Sequence, residues 1–143
     1  MTPIIRKILV CTASLVLTLG VLSAPNAAQA QSSGKVFELR TYTATPGNLD
    51  KLLTRFRDHT MRIFEKHGMT NIGSWVPTDE AESSNTLVYI LAHDSQEAAT
   101  RSWQAFSQDP EWKKVNDESN ADGPILQGVV RKYMTTTDFS PLK

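Results

Sequence analysis

The sequence predicts an α+β domain, built in the order strand, helix, strand, strand, helix, strand. Three observations carry that prediction. Residues 36–43 alternate side-chain character with the period of two that a strand imposes. Residues 46–67 place Leu49, Leu52, Leu53, Phe56, Thr60, Ile63, Phe64 and His67 at three- and four-residue steps, the period of an amphipathic helix. Residues 86–93 are apolar on both faces, as a central strand covered on both sides must be.

Residues 1–30 read as a secretory signal peptide. Arg6 and Lys7 precede an apolar run over 8–22, and Ala28-Gln29-Ala30 forms a small-x-small cleavage site. The run is short for a bilayer span of about 20 residues, so no stable membrane anchor is expected after cleavage. Cys11 follows Leu9 and Val10 deep in the run, which does not suit lipidation. The expectation is an exported chain, periplasmic or secreted, with residues 31–143 as one domain. Cleavage removes the single cysteine, which excludes disulfides, thiol catalysis and cysteine metal sites from the domain. The chain carries 15 Lys and Arg against 15 Asp and Glu. Arg6 and Lys7 leave with the signal, so the domain is slightly acidic, and no nucleic-acid partner is expected.

Residues 31–35 form a polar lead-in. On the first strand Phe37, Leu39 and Thr41 share one face, expected to pack on the helices. Glu38, Arg40 and Tyr42 share the other, which something beyond the domain's own helices must then cover. Thr45 is placed as the N-cap of the first helix with Pro46 in its first turn. Gly68 stands at its left-handed end, after Lys66 and His67. A strand over 69–76 would set Thr70, Ile72, Ser74 and Val76 against Met69, Asn71, Gly73 and Trp75. An acidic loop over 77–85 leads into the central strand. Asp94 and Glu97 resemble a capping box opening the second helix, whose stripe is Ala98, Ala99, Ser102, Trp103 and Phe106. Asp109-Pro110-Glu111 restarts the chain as a short helix to about 119. A last strand runs over 125–134, and an irregular tail closes the chain. This is the ferredoxin-like βαββαβ plan.

Glu38-Leu39-Arg40-Thr41-Tyr42 with Pro46-Gly47, Glu65-Lys66-His67-Gly68-Met69, Ile72-Gly73-Ser74-Trp75, Trp103-Gln104-Ala105-Phe106, Asp109-Pro110-Glu111-Trp112 and Phe139-Ser140-Pro141-Leu142 occur in this order. The set resembles the NIPSNAP family across nearly the whole mature chain. The resemblance implies a dimeric α/β barrel, in which two such sheets face each other with the helices outside, and hence a homodimer. It brings no agreed catalytic residues, so the catalytic residues are unknown. The export signal departs from mitochondrial or cytosolic members of the family.

With Leu39, Ile72, Val88, Ile90 and Val130 taken as facing the helices, the barrel interior would carry Glu38, Arg40, Tyr42, Trp75, Tyr89, His93 and Arg131. Aromatic walls with a few charges suit a small organic ligand. Arg40 or Arg131 would bind an anionic or carbonyl-bearing group, and His93 could act as an acid or base. The competing reading pairs Glu38 with Arg40 structurally and fixes His93 by a hydrogen bond to Asp94 or nearby backbone. His59 is expected at the surface or an edge, and His67 as a contact at the helix end. They are eight residues apart, too far for a zinc pair, so no metal is expected. No cofactor is expected either. Trp103, Phe106 and Trp112 read as core. Two functions compete: a small-molecule enzyme or binding protein using the barrel interior, and a non-catalytic protein-interaction or structural dimer.

Overall fold

The computed structural model describes residues 34–142. The signal peptide expected at 1–30 lies outside the described residues. The elements are β1 (Val36–Ala44), α1 (Leu49–Arg55), a π-helical turn (Phe56–Thr60), α2 (Met61–Lys66), β2 (Thr70–Trp75), β3 (Thr86–His93), α3 (Gln96–Gln108), α4 (Pro110–Ser119) and β4 (Leu126–Thr135). The four strands form one sheet in the order β2-β3-β1-β4, antiparallel at every junction. This is the expected α+β, ferredoxin-like arrangement.

α1, the π turn and α2 run on from one another as one interrupted helix. The Met61 N–H reaches the Phe56 carbonyl five residues back, where an α-helix would reach four. The helix begins at Leu49 rather than near Pro46. Thr45 does not cap it: its hydroxyl donates to the Pro124 carbonyl at 2.8 Å and accepts from Asn48 Nδ2 at 2.8 Å. Gly68 ends the helical run at φ +74, the left-handed conformation that glycine adopts without a Cβ penalty. α3 is capped by Ser95, whose Oγ accepts from the Ala98 N–H at 3.0 Å, one residue later than the expected Asp94. Asp94 pairs instead with Lys35 at 2.9 Å. Asp109 caps α4 as expected, accepting from the Glu111 N–H at 2.8 Å, with Pro110 at the first helical position.

The two faces of the sheet are the reverse of the expectation. β1 pairs with β3 so that Glu38 opposes Leu91, Arg40 opposes Tyr89 and Tyr42 opposes Leu87. These six residues are buried, and Tyr42, Leu87, Tyr89 and Leu91 join Leu52, Phe56, Ile63, Phe64 and Phe106 in the core beneath the helices. Leu39, Thr41, Val88 and Ile90 point to the helix-free side, which also carries Val130 at 59% exposure. On that side the tail covers one corner, where Thr135–Thr137, Ser140 and Leu142 gather with Phe37 and Ile90. β2 is irregular between Asn71 and Gly73, and this bulge breaks the expected alternation. Asn71 turns to the helices, donating from Nδ2 to the Met61 carbonyl at 3.0 Å. Trp75 turns to the bare side at 52% exposure, and its ring lies where a Cβ on Gly73 would be.

Candidate functional site

β1 and β3 are the central strands, so several of their helix-facing polar side chains are deeply enclosed, with Glu38, Tyr89 and His93 at most 1% exposed. Glu38 is wholly buried and bonded three times. Arg40 Nη1 donates to its Oε1 at 2.8 Å. Trp103 Nε1, from α3, donates to Oε2 at 2.6 Å. His93 Nε2 lies 3.0 Å from the same Oε2, and an ionised carboxylate, which only accepts, requires the hydrogen on Nε2. The Arg40 guanidinium lies 4.1 Å over the Trp103 ring and 5.4 Å over that of Tyr42.

The electrostatics follow from this closure. Burial alone would raise the Glu38 pKa, but hydrogen bonds from His93, Trp103 and Arg40, with the Arg40 charge, outweigh it and hold the carboxyl below the usual range. Burial works against the charge of Arg40, yet Tyr42, Tyr89 and Glu38 together raise its pKa. Burial pushes the Tyr89 phenol well above its ordinary value. Arg40 Nε and His93 Nδ1 are buried without a hydrogen-bond partner among the described residues.

Of the seven candidates, Glu38, Arg40, Tyr42, Tyr89 and His93 come together, but under the helices and not on the face that a barrel would enclose. The inversion has a physical reason. α3 supplies an indole N–H for Glu38 and a ring for Arg40, so these charges are satisfied within the chain. His93 bonds to Glu38 and not to Asp94. Trp75 stands on the opposite face. Arg131 opposes Arg40 across the β1–β4 junction but is exposed on the edge strand. His67 makes the expected helix-end contact: its Nε2 lies 2.6 Å from Asp109 Oδ2, where Lys66 also pairs at 2.8 Å. Two residues were not singled out from the sequence. Trp103 was read only as core, although a buried indole N–H needs an acceptor. Arg55 sits three residues after the buried Leu52, a spacing that brings it to the same helix face.

A groove of about 500 Å³ opens on the outer side of this helix layer, between α1 and α4. Arg55 and Val115 lie buried along it, and Asp50, His59, Glu118 and Ser119 complete the wall. At one end Lys51 pairs with Asp122 at 3.0 Å. No group of three or more His, Cys, Asp or Glu side chains able to hold a metal occurs among the described residues.

The family model described as NIPSNAP matches residues 37–141. A solved NIPSNAP family protein with unknown function from Agrobacterium tumefaciens is 23% identical, with a TM-score of 0.66 over 78% of this chain and 96% of its own. An uncharacterized NIPSNAP-like domain protein from Burkholderia xenovorans is 20% identical, with a TM-score of 0.66 over 78% of this chain and 93% of its own. A cofactor-independent oxygenase from Streptomyces nogalater shares the fold more distantly, at 14% identity and a TM-score of 0.52 over 76% of this chain and 98% of its own. No curated protein matches the chain.

Proposed function

Because this chain belongs to the NIPSNAP family, we propose, from its own geometry, that it is an exported homodimer that binds or transforms a small organic molecule. The observation that carries the reading is the groove between α1 and α4, about 500 Å³ with a buried guanidinium along it. That volume falls in the range of small-molecule sites. On this reading the ligand site lies on the helix side of the sheet. The homodimer is supported by the bare sheet face, where Trp75, Val130 and Met134 are exposed. Monomers rarely leave such contiguous apolar surface in water. Export rests on the signal-like residues 1–30.

A second reading has one observation in its favour. Glu38 and His93 are sealed from solvent and bonded to each other, so the cluster presents no reacting group. The domain would then be a non-catalytic dimeric interaction or structural module. A thermal-shift screen of residues 31–143 against small organic acids, amines, amino acids and aromatic metabolites separates the two. The binding reading expects at least one compound to raise the melting temperature. It also expects Thr54→Trp, on the exposed groove wall, to abolish the shift. No shift across the screen favours the second reading, and a shift indifferent to Thr54→Trp places the ligand outside the groove.

A further inference from the structure

Arg55 is a buried cation with no carboxylate against it among the described residues. It is 5% exposed. Its side-chain hydrogen bond runs from Nη1 to the neutral Ser119 hydroxyl at 3.1 Å, and its Nε has no partner. The guanidinium lies 5.2 Å over the Trp112 ring. Burial lowers its pKa, and the groups working the other way are the phenols of Tyr42 and Tyr89. Arg40, by contrast, has Glu38 at 2.8 Å. A guanidinium withdrawn from water calls for an anion, and its planar fork fits a carboxylate.

The groove around it is charged in the opposite sense at its walls. Asp50 and Glu118 are exposed there. Lys51 is engaged by Asp122, and the nearest cation to Glu118 is Lys114, one turn back on the same helix at 3.8 Å. A plain anion would be drawn to Arg55 and repelled by these two acids. A molecule with a positive far end would satisfy both. The backbone also departs from regularity here: the π turn starts at the residue after Arg55 and brings His59 to the same groove. Thr60 Oγ1 donates to the Arg55 carbonyl at 3.1 Å. Such turns are frequent at functional sites.

We infer that the groove takes a small zwitterion of the amino-acid type, its carboxylate forked on Arg55 and its ammonium towards Asp50 and Glu118. This rests on the reading that the groove is the ligand site, and it names the ligand class.

The test is an NMR titration of residues 31–143, following the Arg55 Nε–H and Trp112 indole signals, with four matched probes. These are 5-aminopentanoate, pentanoate, pentanamide and pentylamine. The expected order is 5-aminopentanoate first, pentanoate about tenfold weaker, and no measurable binding of the amide or the amine, since charge-assisted bonds at both ends separate the probes. Arg55→Gln should abolish binding of both carboxylates. The double variant Asp50→Asn/Glu118→Gln alters two exposed side chains and leaves the fold intact. It should bring the two carboxylates to equal affinity. Pentanamide binding as tightly as pentanoate, or binding that survives Arg55→Gln, overturns the charge assignment and leaves the groove as a site. Failure of all four probes to move the groove signals removes both. Should Arg55→Gln not fold, an unchanged preference for 5-aminopentanoate in the double variant overturns the inference by itself.

Discussion

Replacing Glu38 with glutamine changes one atom of the side chain and tests whether the buried cluster holds the fold. Glu38 accepts on both oxygens, from Arg40 on one and from Trp103 and His93 on the other. A glutamine must turn its NH2 towards one of these sides. Facing Arg40, it sets donor against donor and leaves a buried guanidinium without its counter-charge. Facing Trp103, it meets an indole N–H at a spacing of 2.6 Å, and only His93 can adapt, by moving its proton. Removing one partner of a buried pair costs roughly 3–5 kcal/mol. The stack of Arg40 over Trp103 remains, so the lower half of that range, about 3 kcal/mol, is expected. For a domain of this size that corresponds to a melting temperature lower by about 12 °C. Glu38→Gln/Arg40→Met removes the stranded charge, so the double variant should be no worse than Glu38→Gln alone, a coupling of at least about 2 kcal/mol. Urea denaturation of the four proteins, with linear extrapolation, gives the cycle. A cost for Glu38→Gln below about 1 kcal/mol, or strictly additive single costs, would refute the reasoning.

The remaining predictions concern assembly, acid and export. Val130→Asp places a charge on the bare sheet face, so sedimentation should give twice the monomer mass for the unaltered domain and the monomer mass for the variant; a monomeric unaltered domain rules the dimer out. Asp109 lies well below its ordinary pKa, chiefly through hydrogen bonds from Lys66 and His67, and Glu38 lies below its own. A carboxyl depressed in the folded state contributes stability above its unfolded pKa, near 4, and loses it as pH falls through the folded value. The urea midpoint should therefore drop steadily below about pH 4, and Asp109→Asn should flatten the drop; an equal slope in the variant contradicts this. N-terminal sequencing of the exported protein should begin near Gln31, and a mature terminus at Met1 would exclude cleavage.

Much of the architecture was legible because it rests on local rules. The periodicity of 46–67, the glycine at 68, the Asp109-Pro110 restart and the doubly apolar 86–93 each express one backbone requirement. The sense of the sheet was not legible. Alternation says which side chains share a face, but not which face meets the helices. Glu38 and Arg40 look like partner-facing residues until Trp103, 65 residues beyond Glu38, is brought above them. The β2 bulge was equally silent, since Asn71-Ile72-Gly73 alternates acceptably without it, and it carried Trp75 to the other side. Arg55 passed as one more cation on a helix. Its burial comes from α4 crossing above it, which no local pattern announces.

The π turn divides the first helical run into two stretches with different rotational phase. Each residue of an α-helix advances about 100° around the axis. A turn that spends one extra residue resets that count for everything downstream. Leu52 and Arg55 are timed by the stretch before the turn, and Ile63 and Phe64 by the stretch after it. Removing one residue between Phe56 and Thr60 would restore an ordinary helix and leave the two stretches facing as they do, because the turn spends five residues where an α-helix would spend about four. Winding the same residues as continuous α-helix would instead rotate the second stretch by about 100° relative to the first. Either Arg55 would then swing off the groove or Ile63 and Phe64 would leave the core. The wide turn is therefore what reconciles the length of this segment with its two faces. A homologue one residue shorter there can keep both the groove and the interior on a regular helix.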